Sequence, residues 1–265
     1  MKILVLGATG MLGHQLVKNL SGKHQARGVS RAQFQAWEID NAKLPFGEFD
    51  VVVNCIGIVK QRGTTPEEMI EVNALFPHRL ARVCREANTR LIHLSTDCVF
   101  SGRRGNYSEQ STPDPDDLYG RSKLLGEVQD EGCLTIRTSI IGRELNRQQG
   151  LVEWLLRAPS PVRGFAKHIF TGITTIEAAR IVDRIIAHYP DASGLWHVGA
   201  DPIDKYALLG MLVRHYGLKT EVQYDSSTVC DRSLDSRMFR AAFSYKPPSW
   251  TSMIAELAKE CPLAA

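Results

Sequence analysis

A glycine-rich turn near the start of the chain constrains the fold more than any other stretch. The residues Ile3–Leu6 form a short continuous apolar run, which is typical of a strand buried on both faces. Gly7, Gly10 and Gly13 follow it, and apolar residues then recur at helical spacing up to Leu20. Glycines at such a junction let the backbone approach a pyrophosphate, which the N-terminus of the helix attracts. The stretch predicts a dinucleotide-binding turn, although its G-x-x-G-x-x-G spacing leaves a purely structural turn open.

Apolar runs and amphipathic segments alternate along most of the remaining chain. We predict strands over Gln25–Val29, Ala36–Asp40, Val51–Cys55, Leu91–Ser95, Cys133–Arg137 and Leu195–Gly199. We predict helices over Pro66–Ala87, Leu118–Gln129 and Thr175–His188. This alternation predicts an α/β fold with a Rossmann-type, doubly wound parallel sheet and right-handed crossovers.

The alternation becomes irregular beyond residue 143, which predicts a second region. We expect a Rossmann-type NAD(P)-binding domain over residues 1–142, completed by a returning segment over residues 172–200. Residues 143–171 and 201–265 are expected to form a smaller, interleaved C-terminal substrate-binding cap.

Charge and cysteine usage exclude several function classes. A net charge of +3 over 265 residues is too small to favour nucleic acid or a membrane surface. No apolar run reaches the roughly 18 residues of a membrane span, and the first residues do not resemble a signal peptide. The six cysteines show no metal-ligand spacing. We therefore predict a cytoplasmic protein with reduced thiols, no bound metal and a small-molecule partner, and a homodimer is left open.

The end of the second predicted strand indicates which dinucleotide fits. An acidic residue about 20 positions after the glycine turn usually binds the adenosine ribose. No Asp or Glu occurs between Ser21 and Trp37, and the strand is followed instead by Ser30 and Arg31. A hydroxyl and a guanidinium suit a 2′-phosphate, so we predict NADP(H), with NAD(H) as the alternative cofactor and a solvated Arg31 as the alternative interpretation. The other expected cofactor contacts are Thr9, Met11, Leu12, Asp40 (as an acceptor for the adenine amino group), Asn41, Cys55, Ile56 and Gly57.

A tyrosine and a lysine on one predicted helix carry the catalytic signal. Tyr119 and Lys123 lie four residues apart and so share a helix face. A free tyrosine has a pKa of about 10, and a nearby ammonium is expected to lower it. Tyr119 could then donate a proton to a carbonyl oxygen while Lys123 binds the nicotinamide ribose. A half-buried structural tyrosine is the alternative, but Thr96, at the end of the preceding strand, is placed to bond the same oxygen.

At these residues the chain resembles the extended short-chain dehydrogenase/reductase family, and within it the dTDP-4-dehydrorhamnose reductases. The matching stretches are Gly7–Gly13, Asp40, Asn54, Asn73-Ala74, Leu91–Asp97, Val99-Phe100, Tyr119–Lys123, Gly126-Glu127, Arg137–Ser139, Arg232–Asp235 and Phe239. The resemblance implies NADPH-dependent reduction of the 4-keto group of a nucleotide-activated deoxysugar. Thr96, Tyr119 and Lys123 would be the catalytic set. The residues implied to contact the nucleotide sugar are Thr96, Asp97, Cys98, Ile140 and Arg232.

The chain also departs from the family pattern. Cys98 and Ile140 stand where the family has a tyrosine and an aromatic residue, and the stretch Ile58–Arg62 differs as well. The identity of the sugar is therefore not implied. A sugar-nucleotide 4,6-dehydratase is disfavoured, because Asp97 lacks the second carboxylate that would follow it. Two alternatives stay open, a non-catalytic NADP-binding regulatory subunit of a partner enzyme and a nucleotide-sugar epimerase.

Overall fold

A computed structural model describes residues 1–41, 44–59, 63–145 and 149–260 of the chain. Its strands are β1 (Lys2–Leu6), β2 (Gln25–Val29), β3 (Val51–Asn54), β4 (Arg90–Leu94), β5 (Cys133–Arg137), β6 (Ile140–Ile141), β7 (Val162–Phe165), β8 (His168–Phe170), β9 (Ile173–Thr174), β10 (Gly194–His197), β11 (Ile203–Asp204), β12 (Val222–Asp225) and β13 (Cys230–Asp231). Its α-helices are α1 (Gly13–Leu20), α2 (Pro66–Ile70), α3 (Phe76–Glu86), α4 (Leu118–Leu125), α5 (Leu151–Arg157), α6 (Thr175–His188), α7 (Lys205–Tyr216), α8 (Arg237–Ala242) and α9 (Trp250–Glu260). A π-helical turn over Glu71–Leu75 joins α2 to α3.

A parallel sheet in the order β10-β5-β4-β3-β1-β2 forms the centre of the molecule. The strand order reverses between β1 and β3, because the chain continues from β1 to one edge through β2 and then returns to build the other side. Ligands of open α/β sheets bind outside the carboxyl ends of the strands at such a point. The glycine turn that follows β1 therefore opens into the expected crevice.

Alternating side chains of β1 face two separate core layers. Ile3 and Val5 pack into the layer that contains α1, α6 and α9. Leu4 and Leu6 pack into the opposite layer, which contains α3. This period of two explains why all four residues are apolar, since neither face of the strand meets solvent. The predicted doubly wound parallel sheet is confirmed.

Two of the predicted secondary-structure elements differ from those in the structure. The segment predicted as a strand over Ala36–Asp40 is a 3₁₀ helix over Ala36–Asn41, whose buried residues Ala36 and Ile39 are three positions apart rather than alternating. The helix predicted to run from Leu118 to Gln129 ends at Leu125. Gly126 follows as its C-cap and lies against the backbone of Asn73, with no space for a Cβ atom.

The region beyond residue 143 shares its core with the sheet. Its β11, β8 and β13 form a small sheet, and β12 pairs with β7. Trp250 and Ile254 of α9 belong to the same hydrophobic cluster as Ile3 and Val5 of β1. We propose that this region is a cap that extends the Rossmann core, with the boundaries stated above. Within the described ranges, no helix is both long and apolar enough to cross a membrane.

Candidate active site

A cleft lies at the crevice where the strand order reverses. Its lining residues are Gly7, Thr9, Gly10, Arg31, Phe34, Gln35, Ala36, Trp37, Cys55, Ile56, Gly57, Ile58, Glu68 and Val72. Gly7 has a φ of +81°, and an added Cβ there would lie 3.1 Å from the Cys55 carbonyl. An added Cβ at Gly13 would overlap the Gly7 carbonyl oxygen. The turn is therefore a bare-backbone cradle at the start of α1, which fits the pyrophosphate of a dinucleotide.

Gly10 should be the glycine at which substitution separates cofactor binding from folding. An added Cβ at Gly10 meets only the Gly7 carbonyl oxygen, at 3.2 Å, so the fold can accept it. A branched side chain there would enter the cleft. We expect Gly10→Val to raise the Kd for NADPH at least about tenfold, which corresponds to the loss of one charge-assisted hydrogen bond. Fluorescence titration measures this, with Gly22→Val, in an open turn, as the control. Equal affinities in both variants would contradict the placement of the site.

The predicted cofactor residues fall into three groups. Seven of them line the cleft, namely Gly7, Thr9, Gly10, Arg31, Cys55, Ile56 and Gly57. Met11, Leu12 and Gly13 form the junction between the turn and α1, and the Ser30 hydroxyl donates to Gln33 Oε1 at 3.0 Å. Asp40 and Asn41 are exposed, and the Asp40 carboxylate pairs with Arg82 and lies 3.9 Å from Arg79 Nε. A carboxylate has more acceptor sites than this pairing uses, so the bond from the adenine amino group to Asp40 stays a prediction.

A charged pair lies at the mouth of the cleft. Arg31 Nη2 donates to Glu68 Oε1 at 2.9 Å, and Arg31 Nε donates to Gln35 Oε1 at 3.4 Å. The Arg31 guanidinium also lies over the Trp37 ring, 5.7 Å from its centroid. Glu68 was missed in the sequence analysis because it reaches Arg31 only through the packing of α2 beside the sheet edge.

Tyr119 and Thr96 meet at the carboxyl end of β4. Asp117 caps α4 by accepting a hydrogen bond from the Gly120 N–H at 2.8 Å, which sets where the helix begins. Gly120 is packed against the Cys98 backbone with no space for a Cβ atom, so the helix docks directly on the turn that follows β4. The Thr96 side chain lies close enough to the Tyr119 phenol to lower the pKa of that phenol by hydrogen bonding. The structure thus brings together these two predicted catalytic residues.

The pKa of Tyr119 is raised, whereas the sequence analysis expected Lys123 to lower it. Burial is the main cause, and the nearby Cys98 and Asp97 add to it, while the hydrogen bond with Thr96 acts in the opposite direction. The Lys123 ammonium donates to the Leu94 carbonyl oxygen at 2.6 Å. The expectation was wrong because the burial of the phenol depends on tertiary packing. Tyr119 is consequently a protonated phenol at neutral pH.

The pKa of Lys123 is also perturbed, and one member of a buried ion pair acts on it. Burial lowers the pKa of Lys123 from 10.5 to about 8, while the nearby Glu127 and Cys55 act to raise it. Glu127 receives hydrogen bonds from Ser95 Oγ at 2.6 Å and from Arg137 Nε and Nη2 at 2.7 Å each. The Glu127 and Arg137 side chains are each 4% exposed. Glu127 lies two residues beyond α4, so its bonds join the C-terminal end of α4 to the end of β5 through Arg137 and to Ser95, the residue before Thr96.

The substrate side of the site joins the turn after β4 to the cap. Asp97 is buried, which raises its pKa, and the positive charges of Arg232 and Lys205 oppose that shift. Arg232 Nε donates to the Phe100 carbonyl oxygen at 2.9 Å, and its Nη1 lies 3.8 Å from Cys98 Sγ. The Lys205 ammonium lies 4.4 Å from the centroid of the Phe170 ring, and burial lowers its pKa.

Of the predicted substrate residues, the structure therefore groups Thr96, Asp97, Cys98 and Arg232. Ile140 lies in β6, which pairs with β9. Lys205 was missed because nothing in its local sequence distinguishes it from a solvated lysine at a helix start. Within residues 1–41, 44–59, 63–145 and 149–260, no three His, Cys, Asp or Glu side chains are grouped as metal ligands.

A parallel sheet with a glycine turn after β1, and a Tyr-x-x-x-Lys helix beside the Ser-Thr-Asp end of β4, is the arrangement of the extended short-chain dehydrogenase/reductases. The fold and the site define that class. Within it, the chain belongs to the family described as RmlD substrate binding domain, whose model matches residues 1–262.

Named relatives agree with this assignment. The chain is 34% identical over 131 residues to the dTDP-4-dehydrorhamnose reductase of Mycolicibacterium smegmatis, and the match covers 48% of this chain and 40% of that protein. The matched region thus spans less than half the length of that relative. The spore coat polysaccharide biosynthesis protein SpsK of Bacillus subtilis is 25% identical over 233 residues, or 83% of this chain and 81% of that protein.

The fold is shared with solved structures. The crystal structure of dTDP-4-dehydrorhamnose reductase from Bacillus anthracis in complex with NADP matches with a TM-score of 0.84 and 20% identity, and the match covers 98% of this chain and 99% of that one. At this identity the match shows the fold.

Proposed function

We propose that the chain is an NADPH-dependent reductase of the 4-keto group of a nucleotide-activated deoxysugar. The observation that carries the proposal is the grouping of Tyr119, Thr96 and Lys123 at the carboxyl end of β4, at the same sheet edge as the glycine cradle. The relatives named dTDP-4-dehydrorhamnose reductase support it. The cytoplasmic location and the homodimer stay predictions.

The residues of the site divide the proposed chemistry between them. NADPH, when bound, would supply a hydride to the carbonyl carbon. Tyr119 would donate the proton to the carbonyl oxygen, and its raised pKa keeps it protonated for that step. Thr96 would hold the same oxygen in line with the phenol. Lys123, charged below about pH 8, would stabilise the phenolate that remains and bind the ribose. The backbone of Gly7 and Gly10 would hold the pyrophosphate.

The cap residues give the site a positively charged side. Arg232 and Lys205 both face the Asp97 turn, since the charge of each acts on that carboxyl group. The Asp97 carboxyl group supplies one negative charge against the two positive charges of Arg232 and Lys205, which leaves the group cationic and able to accept a further anion. We therefore propose that these two cations bind the phosphates of the nucleotide, while Thr96 and Asp97 contact the sugar.

The test is a single-turnover assay of NADPH oxidation with a panel of nucleotide-activated 4-keto sugars. The proposal expects loss of NADPH absorbance with at least one sugar and a reduced sugar product in equal amount. Epimerised sugar without NADPH consumption would favour the epimerase instead. NADPH binding without conversion of any sugar, together with co-purification of a partner enzyme, would favour the regulatory subunit.

The pH profile of this reaction should report the charge of Lys123. Its pKa is lowered by burial to about 8, so the lysine is charged below that pH and loses its proton above it. We expect a turnover rate that is flat below about pH 8 and then falls about tenfold per pH unit as one essential proton is lost. The rate is measured from stopped-flow NADPH absorbance at saturating substrate. A rate that stays flat up to the ordinary lysine pKa of 10.5 would contradict this assignment.

A further inference from the structure

We propose that Glu68 is a cofactor-selecting residue, whose carboxylate weakens the preference for NADP(H) over NAD(H). The inference rests on the proposed dinucleotide function of the cleft. Its basis is geometric, because Glu68 and Arg31 both line the cleft and their side chains are joined by a hydrogen bond of 2.9 Å. Ser30 and Arg31 alone would give a site for a 2′-phosphate, but the site also contains a carboxylate contributed by α2.

The position of Glu68 is set by the local fold. Thr65 caps α2 and accepts a hydrogen bond from the Glu68 N–H at 3.2 Å. The first turn of a helix favours a negatively charged side chain, so the carboxylate is well placed as an anion. The side chain is 28% exposed, whereas that of Arg31 is 52% exposed. The carboxylate is therefore the less exposed member of the pair.

The carboxylate acts on the two cofactors in opposite directions. A 2′-phosphate that approaches Arg31 has to share the guanidinium with Glu68 and experiences repulsion from its charge. The 2′-hydroxyl of NAD(H) carries no charge and can donate a hydrogen bond to a carboxylate, which is the role of the acidic residue that ordinarily follows the second strand. Glu68 supplies that group from a different element, 37 positions beyond Arg31 in the chain.

The location of the Arg31–Glu68 pair argues against a role in stability alone. An ion pair between partly exposed side chains contributes little to stability, because solvent screens the two charges. Trp37, which stacks on the Arg31 guanidinium, lines the same cleft and holds the plane of the guanidinium near the proposed adenosine end. The charges of Arg31 and Glu68 are thus concentrated at the proposed adenosine end, where NADP(H) and NAD(H) differ.

The experiment compares Kd values for NADPH and NADH by fluorescence titration of the full chain. The variants are wild type, Glu68→Gln, Arg31→Ala and the control Glu67→Gln. Glu67 is exposed in the same helical turn, and the Arg31 guanidinium pairs with Glu68 instead. The control therefore removes the same charge from the same turn. Thermal unfolding of each variant is recorded alongside, because Gln keeps the size of the side chain and should preserve the fold.

We expect Glu68→Gln to raise the ratio of the NADH Kd to the NADPH Kd about five- to tenfold, as expected when one carboxylate charge near a phosphate is removed in a partly exposed site. Arg31→Ala should lower the same ratio by about tenfold or more, since it removes a charge-assisted bond. A change of less than about twofold in Glu68→Gln, or an equal change in Glu67→Gln, would overturn the role of Glu68. If wild type binds neither cofactor, the proposed function fails as well, which separates the two failures.

Discussion

Replacing Tyr119 by phenylalanine should lower single-turnover NADPH oxidation by about 10²–10⁴-fold, the contribution of a positioned general acid. The substitution removes only the hydroxyl, so the ring still packs against the hydrophobic layer that contains α3. Cofactor affinity should stay near the wild-type value, because the glycine cradle and Arg31 are unchanged. The reaction is followed by stopped-flow absorbance with a keto sugar that the wild type converts.

A second buried tyrosine provides the control for this variant. Tyr107 stacks on Phe100 with ring centroids 4.1 Å apart, and its hydroxyl accepts a hydrogen bond from the Arg104 N–H at 3.1 Å. Tyr107→Phe therefore removes a hydroxyl of the same kind away from Thr96. We expect it to retain turnover within a few-fold of wild type. Equal rates in wild type and Tyr119→Phe would reject Tyr119 as the proton donor, and with it the proposed mechanism.

The sequence predicts this site well where the signal is local. The continuous apolar run of β1, the glycines that follow it and the amphipathic pattern of Thr175–His188 are all features of neighbouring residues. The helix Thr175–His188 has its predicted bounds. The segment Ala36–Asp40 failed because a five-residue apolar pattern does not distinguish a strand from a short helical turn.

Tertiary packing decides the remaining features of the site. Glu68 meets Arg31, and Lys205 meets the Asp97 turn, only after distant segments pack together. The raised pKa of Tyr119 has the same origin, since burial is its main cause. A spacing of four residues shows that Tyr119 and Lys123 share a helix face, but it does not show how much water reaches them. The residue types were therefore predictable, and their ionisation was not.

The buried ion pair behind the site should dominate the stability of this region. We expect Glu127→Ala to lower the free energy of unfolding by about 3–5 kcal/mol, because the change leaves a buried arginine without its partner. Arg137 would retain its contact with His197 Nε2, at 3.2 Å from its Nη1, and its position over the Phe100 ring, but no carboxylate partner, and Ser95 Oγ would lose its acceptor. Urea denaturation measures the effect, and wild-type-like circular dichroism in the absence of urea confirms that the variant folds.

An exposed ion pair between an arginine and a carboxylate provides the control for this prediction. Arg103 and Asp116 are 2.9 Å apart, with side chains 75% and 46% exposed. Asp116→Ala should change the free energy of unfolding by no more than about 1 kcal/mol, because solvent screens such a pair. If Glu127→Ala were no more destabilising than Asp116→Ala, the Glu127–Arg137 pair would not be the anchor of α4.

The milder variant Glu127→Gln connects this anchor to the proposed chemistry. It removes the negative charge but keeps the size of the side chain and an oxygen that can accept from Ser95. The Glu127 carboxylate acts to raise the pKa of Lys123, against the lowering effect of burial. Loss of that charge should therefore move the alkaline limb of the turnover profile from about pH 8 to lower pH. A limb that stays in place while stability falls would show that Glu127 holds the structure without acting on Lys123.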